Sequence, residues 1–231
     1  MEQMLRWIIH QNFNDVDPRN NVTDFVTTRG TLQQILCSPY HFFPSDSWSI
    51  CASKLKNTIY FALVETDEKV LQHAYLSERD KQMIAWGFKF EQYMTSNSSY
   101  GAPDMSSLTY QLEDFSIVLR SKLNEYSLLY KAEIDGLRSG ASAGIPSNYI
   151  ELKTSRNSPP YYSDISFLRS KSVKWWAQIF LAGVRDIVCG FRDNDGIVTS
   201  IETFSEAALT GYGKLNQLQE LISGLVALTG L

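Results

Sequence analysis

The segment SLLYKAEIDG, residues 127–136, combines the alternation of an apolar β-strand with two acidic residues, Glu133 and Asp135. Side chains two residues apart on a strand point to the same face, so both carboxylates would lie on one side of a sheet. Like charges at that spacing repel each other. A strand that keeps both carboxylates needs a cation nearby, and this need restricts what the chain can fold into.

A second predicted strand, NYIELKTS at residues 148–155, follows after a loop of small residues. Glu151 and Lys153 share one face of this strand, whereas Ile150 and Leu152 point to the core. Two such strands side by side would direct three carboxylates and one lysine to a single place. Clustered carboxylates do not all ionise without a cation, and their oxygens suit Mg²⁺ or Mn²⁺. A salt-bridged strand face explains Glu151 and Lys153 equally well.

Predicted helices and strands alternate along the rest of the chain. An amphipathic helix is expected at the N-terminus, and Ser77 is expected to cap a helix that contains Glu91. Further helices are predicted at residues 31–37, 165–181 and 215–228, and hairpins at WSICASKL–TIYFALVET and DIVCGFR–GIVTSIETF. This order predicts an α+β fold with a mixed, largely antiparallel sheet flanked by helices, in one domain of residues 1–231.

Charge and cysteine content narrow the functional class. The 21 basic and 25 acidic residues give a net charge of -4, so a nucleic acid would need a local basic patch. Cys37, Cys51 and Cys189 are far apart, which argues against a disulfide framework or a structural zinc site and favours a reducing compartment. The sequence shows neither a signal peptide nor an apolar run that spans a membrane. An intracellular protein of the nucleus, the cytoplasm or both is expected.

An aspartate, one hairpin and then Glu-x-Lys is the arrangement of PD-(D/E)xK nucleases, in which two strands present metal ligands and a lysine beside the scissile phosphate. Longer segments narrow this resemblance: TDFVTTRGTLQQILCSPY, WGFKFEQYMT, YKAEIDG, YIELKTS and KSVKWWAQIFLAGVRDIVCGFRDNDGIV. In this order, from Leu5 to Phe204, they resemble the decapping exoribonucleases, the DXO-like proteins. That family removes incomplete or non-canonical RNA caps, releases pyrophosphate from triphosphates and, in many members, degrades RNA from 5′ to 3′.

The resemblance implies a role for individual positions. The metal ligands it implies, for two divalent cations, are Glu133, Asp135, Glu151, the Leu152 carbonyl and, through water, Glu91. Lys153 and Gln178 would position the attacking water or the reacting phosphate. Arg29 would bind an RNA phosphate.

Two further positions are suggested by helical spacing. Lys171, Lys174 and Gln178 can lie on one helix face, which would make Lys174 a substrate-binding residue, although a solvated helix face explains the lysines as well. Gly87 precedes Glu91 by one turn and would leave room beside its carboxylate, at a cost of about 1 kcal/mol relative to alanine. Close packing of Gly87 against a strand is the alternative.

The resemblance implies a metal-dependent hydrolase of RNA 5′ ends that acts on triphosphates and on incomplete or non-canonical caps, NAD caps included, with 5′-to-3′ exoribonuclease activity. The alternative is a catalytically silent relative that binds RNA ends or a 5′-to-3′ exoribonuclease partner. A restriction-like DNA nuclease is a third hypothesis, which rests on Asp135 and Lys153 alone. The complete set of acidic residues favours an enzyme, since converging carboxylates are costly in a binding module.

Overall fold

The computed structural model describes residues 1–10, 23–40, 48–98, 100–107, 115–156 and 171–213. The helices are α1 (Glu2–His10), α2 (Arg29–Cys37), α3 (Asp67–Ala74), α4 (Glu78–Met94), α5 (Ser172–Ala182) and α6 (Glu206–Gly213). The strands are β1 (Phe25–Thr28), β2 (Ser49–Leu55), β3 (Thr58–Val64), β4 (Ser116–Leu123), β5 (Tyr126–Glu133), β6 (Gly136–Leu137), β7 (Tyr149–Arg156), β8 (Asp186–Arg192) and β9 (Val198–Ser205).

Chain contacts divide the described residues into two compact units. The first contains the described parts of Met1–Val70 and Ser116–Glu133, and the second those of Leu71–Phe115 and Ile134–Asn216. That residues 1–231 form one domain stays a prediction.

The first unit contains a five-stranded mixed sheet in the order β2-β3-β1-β5-β4. Strand β1 is parallel to both neighbours, whereas β2 and β4 pair antiparallel with β3 and β5. Met4 and Ile8 of α1 pack on Val26 and Leu129, which confirms the predicted amphipathic helix. The predicted β2–β3 hairpin is also confirmed, with Lys56 in its turn at a φ of 56°.

Helix α2 begins at Arg29, two residues before the predicted start. The Thr28 side chain accepts a hydrogen bond from the Thr31 N–H at 3.4 Å. Thr28 is therefore the N-cap, because its oxygen satisfies one of the free N–H groups of the first turn.

The second unit contains a four-stranded sheet in the order β6-β7-β8-β9, with β7 and β8 parallel and the two outer pairs antiparallel. Helix α4 covers one face, where the Phe90 ring occupies the space that a side chain at Gly190 would need. Helix α5 covers the other face, where Lys171, the residue before the helix, donates to Ser155 and Gln178 donates to Glu151. The middle strand β7 is therefore enclosed from both sides.

Helix α4 starts as predicted. Ser77 and Asp80 form a capping box, in which the Asp80 N–H donates to the Ser77 hydroxyl at 3.1 Å and the Ser77 N–H donates to the Asp80 carboxylate at 3.2 Å. Helix α5 ends at Gly183, whose φ of 67° is left-handed and suits glycine. The predicted helix at 165–181 agrees with α5 over the described residues, while residues 157–170 and the predicted helix at 215–228 lie outside them.

The predicted α+β class is confirmed, with the strands in two sheets. Four of the seven strand pairings in the described residues are antiparallel and three are parallel. Within these ranges, no helix has both the length and the apolar character to cross a bilayer.

Candidate active site

Glu151 and Lys153 lie on the face of β7 that α5 covers. Glu151 is 0% exposed, although a carboxylate is rarely buried without partners. The Lys153 Nζ lies 3.3 Å from the Glu151 Oε2 and 3.3 Å from an oxygen of Asp135. One ammonium group is thus shared between two carboxylates, as expected if the two acids converge.

Asp135 occupies the short connection between β5 and β6. Strand β5 ends at Glu133, the Ile134 N–H donates to the Phe115 carbonyl at 2.9 Å, and pairing with β7 begins at Gly136. Glu133 and Asp135 therefore do not lie on one continuous strand, and that their side chains share a face stays a prediction. The Ile134 N–H still follows the β4–β5 register, and only from Gly136 onward does the backbone pair with β7.

The backbone of β7 holds the Asp135 carboxylate in place. The Leu152 N–H donates to the Asp135 Oδ2 at 2.7 Å, and the Lys153 ammonium contacts the same oxygen. The Asp135 side chain is only 10% exposed. Gly136 permits this close approach, since a Cβ there would lie 3.2 Å from the Ile150 side chain.

Gln178 extends the network from α5. Its Nε2 donates to the Glu151 Oε2 at 2.6 Å, so that oxygen accepts from both an amide and an ammonium group. Gln178 belongs to the helix that faces β7, and the hydrogen bond fixes where the Glu151 carboxylate points. The structure therefore brings together five of the predicted site residues: Asp135, Glu151, Leu152, Lys153 and Gln178.

Burial and charge act in opposite directions on Lys153. Burial alone would lower the pKa of the Lys153 ammonium, but the negative charges of Asp135 and Glu151 outweigh it, so the pKa is above its ordinary value. Lys153 consequently stays protonated at neutral pH. It can supply positive charge and hydrogen bonds, but it cannot act as a general base in this arrangement.

The remaining predicted residues are placed on several elements. Glu91 is half-buried on α4, which packs against β7, and Glu133 is exposed at the end of β5. Arg29 is buried at the start of α2 in the first unit, and Lys174 is exposed on α5, one turn before Gln178. Their roles as ligands or phosphate-binding groups stay predictions.

The charge of the cluster suits a divalent cation. Asp135, Glu151 and a protonated Lys153 sum to a formal charge of -1, and the carboxylates are hard oxygen donors of the kind that Mg²⁺ and Mn²⁺ prefer. Across the described residues, no three His, Cys, Asp or Glu side chains are grouped so that they could hold a metal ion. The donor pair fits a divalent cation, whereas the larger set of ligands with Glu91 and Glu133 stays a prediction.

Sequence reasoning missed two contacts of this network. Leu152 was expected to contribute its carbonyl, but it also donates its N–H to Asp135. Lys171, expected on one helix face with Lys174 and Gln178, donates to the Ser155 hydroxyl at 3.1 Å, two residues from Lys153 on the same side of β7. The alternation of β7 was the available signal, since it places Glu151, Lys153 and Ser155 on one face.

A family model described as "RAI1 like PD-(D/E)XK nuclease" matches residues 1–224. The chain belongs to this family. The resemblance to the decapping exoribonucleases, with a PD-(D/E)xK core, is thereby confirmed.

Several named proteins are similar to this RAI1-like chain. The decapping and exoribonuclease proteins of Rattus norvegicus and Homo sapiens are 38% and 35% identical over 208 and 216 residues, which are 88% and 92% of this chain and 51% and 54% of those proteins. The chain thus spans about half the length of these relatives.

Two solved structures share the fold of this RAI1-like chain. Candida albicans Rai1 in complex with pU5-Mn²⁺ has a TM-score of 0.77 at 20% identity. The matched region is 98% of this chain and 66% of the Candida albicans chain. Scheffersomyces stipitis Rai1 in complex with (3'-NADP)⁺ and a calcium ion has a TM-score of 0.73 at 21% identity, with coverage of 94% and 63%.

Proposed function

We propose that the chain is a metal-dependent hydrolase of RNA 5′ ends. The observation that supports this proposal is that the Asp135 and Glu151 carboxylates both contact the Lys153 ammonium group on β7. Gln178 of α5 donates a hydrogen bond to the Glu151 carboxylate. The names of the relatives, decapping and exoribonuclease proteins, support RNA ends as the substrate class.

Two divalent cations, Mg²⁺ or Mn²⁺, would be held by carboxylate and carbonyl oxygens. The proposed ligands are Asp135, Glu151, the Leu152 carbonyl, Glu133 and, through water, Glu91. When bound, such cations activate water and stabilise the charge on the leaving oxygen. The chain itself fixes the ligands, because the Leu152 N–H orients Asp135 and the Gln178 amide orients Glu151.

Lys153 and Gln178 would act on the reacting phosphate. The Lys153 ammonium remains charged, so it can stabilise the negative charge that builds up on phosphate oxygens in the transition state. It is already oriented by two carboxylates, and no reorganisation is needed when charge develops. Arg29 and Lys174 would bind further phosphates of the substrate.

The proposed substrates are RNAs with a 5′ triphosphate, an incomplete cap or a non-canonical cap such as NAD, with release of pyrophosphate from triphosphates. The complexes of Rai1 proteins with pU5-Mn²⁺ and with (3'-NADP)⁺ support nucleotide-like ligands. The same proposal includes 5′-to-3′ exoribonuclease activity and a 5′-to-3′ exoribonuclease partner. It also includes a location in the nucleus, the cytoplasm or both.

One observation favours the second candidate, a catalytically silent relative that binds RNA ends or an exoribonuclease partner. Lys153 already lies 3.3 Å from both carboxylates, and an ion-paired strand face of this kind is stable without a metal. The two candidates differ in one respect, which is whether bound RNA is cleaved.

End-labelled RNAs separate the two candidates. The chain is incubated with triphosphate, unmethylated-cap, methylated-cap, NAD-cap or monophosphate RNA, in Mg²⁺, Mn²⁺ or a chelator. We expect metal-dependent release of pyrophosphate, cap or NAD, and none in the chelator. RNA binding without any product in either metal would support the silent relative, and cleavage of a matched DNA strand at an equal rate would support the DNA nuclease.

Gly87 gives a separate prediction. A Cβ at this position would meet no atom of the described residues within 4 Å, so the alternative of close packing against a strand is wrong. Gly87→Ala should raise the free energy of unfolding by about 1 kcal/mol, because alanine is the better helix former. If the open space beside Glu91 admits substrate, hydrolysis should fall by about tenfold or more.

Thermal unfolding and single-turnover hydrolysis measure the two effects of Gly87→Ala. A stabilised variant with an unchanged rate would show that the space beside Glu91 is not used by the substrate.

A further inference from the structure

Arg192, the last residue of β8, is a buried cation with an unused donor. The residue is 7% exposed, and its Nε has no hydrogen-bond partner among the described residues. Among the described residues, its Nη1 alone donates a hydrogen bond, to the Asp193 carbonyl at 3.1 Å. A guanidinium held in this way loses hydration without full replacement, which is costly unless an anion completes its contacts.

Two more arginines lie beside Arg192. Arg156 is aligned with it in the parallel β7–β8 pairing, and Arg79 of α4 donates to the Asn194 carbonyl in the turn that follows β8. The guanidinium groups of Arg79 and Arg192 lie 4.8 and 4.6 Å from the centre of the Trp86 ring. Burial first, and then the charges of Arg79 and Arg156, lower the pKa of Arg192. We call Arg79, Arg156 and Arg192 the Arg192 cluster.

Asp193 offsets part of the positive charge, since its carboxylate partly opposes the lowering of the Arg192 pKa, but it forms no salt bridge with the Arg192 cluster within the described residues. Asp193 uses its Oδ1 to accept the N–H groups of Asp195 at 2.8 Å and Ile197 at 2.9 Å, which closes the β8–β9 turn. Within the described ranges, no salt bridge involves any of the three arginines. The cluster therefore keeps an excess of positive charge around an unpaired N–H.

The turn and helix α4 fix this arrangement. Gly196 has a φ of 88°, and a Cβ there would lie 2.3 Å from the Trp86 ring, so the ring can rest on the turn only because this residue is glycine. Trp86 also lines a groove of about 470 Å³ together with Lys89 and Tyr93 of α4 and residues of β9. A cationic site beside aromatic rings is the combination that binds single-stranded nucleic acids.

The Arg192 cluster lies on the opposite face of the sheet from Glu151 and Lys153. Glu151, Lys153 and Ser155 point toward α5, whereas Arg156 alternates to the α4 face with its partner Arg192. Arg156 is three residues after Lys153, which is about 10 Å along the strand. A group bound at the cluster would therefore be separate from the reacting phosphate.

We propose that the Arg192 cluster is a second phosphate-binding site, which takes a backbone phosphate of the RNA body, away from the 5′ end. The planar guanidinium groups match the oxygens of a phosphodiester, and the site rests on the proposed function only in the choice of RNA as the ligand. Each arginine that contacts a phosphate releases counterions, so its loss has a defined effect on the salt dependence of binding.

The test measures RNA binding by fluorescence anisotropy in a metal chelator, so that it does not depend on hydrolysis. A labelled single-stranded RNA is titrated between about 50 and about 200 mM salt with wild type, Arg79→Gln, Arg156→Gln and the double variant. Arg79 and Arg156 are exposed, so their replacement is expected to preserve the fold. Arg185→Gln, an exposed arginine of the same unit outside the cluster, is the matched control.

We expect the slope of log affinity against log salt to become shallower by about 0.7 for each single variant and by about 1.4 for the double variant. The Arg185→Gln slope should equal that of wild type. Equal slopes for the double variant, the control and wild type, with the fold intact by circular dichroism, would overturn the proposal. A double variant that loses binding to an acidic peptide but keeps the wild-type slope for RNA would also overturn the proposal. That result would assign the cluster to a protein partner. If the chain hydrolyses no RNA but the slopes change as expected, the second phosphate-binding site is supported and the proposed hydrolase activity is not.

Discussion

Asp135→Asn and Glu151→Gln should each lower the hydrolysis of RNA 5′ ends by about a hundredfold or more, while the fold stays intact. Both replacements keep the shape of the side chain and one oxygen but remove a negative charge that a divalent cation would require. The loss of one preorganised charged group at a reacting phosphate is commonly of this size.

The hydrogen bonds explain why the two variants should fold. An asparagine oxygen at position 135 can still accept the Leu152 N–H that now donates to Asp135 at 2.7 Å. A glutamine oxygen at position 151 can still accept from the Gln178 amide. Each change also removes one of two like charges that share the Lys153 ammonium, so we expect the free energy of unfolding to stay the same or rise.

Single-turnover rates with Mg²⁺ or Mn²⁺ and thermal unfolding by circular dichroism measure these effects. Glu78→Gln is the matched control, since Glu78 is an exposed carboxylate of α4 that pairs with Lys81. A rate for Asp135→Asn or Glu151→Gln similar to that of Glu78→Gln would remove both residues from the proposed chemistry.

Lys153→Met should reduce both stability and activity. Glu151 is 0% exposed, and without the ammonium its charge would lose a partner at 3.3 Å. Breaking a buried ion pair by the removal of one member costs about 3 kcal/mol. Hydrolysis should fall by about a hundredfold as well, because the positive charge beside the phosphate is lost.

The pH dependence of this variant follows from the raised pKa of Lys153. A raised pKa in the folded state gives stability that is fully present below the ordinary lysine pKa and is lost as pH rises through the folded value. The stability deficit of Lys153→Met should therefore be constant from about pH 6 to about pH 9 and shrink only in more alkaline solution.

Chemical denaturation of Lys153→Met, with and without Mn²⁺, measures the deficit and its cause. The double variant Lys153→Met with Glu151→Gln should recover most of the lost stability, because no unpaired carboxylate then remains at position 151. Added Mn²⁺ should stabilise Lys153→Met more than wild type, since a cation would replace the missing ammonium. A double variant as unstable as the single one would show that Lys153 acts through packing of its side chain instead.

The sequence allowed the strands, the hairpin turns and the start of α4 to be predicted, because their signals are local. Ser77 and Asp80 are three residues apart, and the alternation of β7 is visible within eight residues. The end of β5 was not predictable from alternation, since it depends on Gly136 pairing with Ile150 of β7, fourteen residues later in the chain. Local patterns do not report where a backbone changes partners.

The candidate site shows the same division. The shared face of Glu151 and Lys153 follows from their spacing, but the complete burial of Glu151 depends on α5 packing over that face of β7. The Arg192 cluster could not be predicted at all. Its arginines at 79, 156 and 192 come from a helix and two strands and carry no common spacing.

Because a main-chain N–H of β7 anchors Asp135, the ladder between β6 and β7 sets the distance between Asp135 and Glu151. The hydrogen bonds from the Leu152 N–H, the Lys153 ammonium and the Gln178 amide to the two acids come from β7 and α5, outside the connection of residues 138–148. We expect an insertion in this connection to leave these three hydrogen bonds in place. Sequence changes in this connection should therefore alter the surroundings of the acidic pair without changing the distance between Asp135 and Glu151.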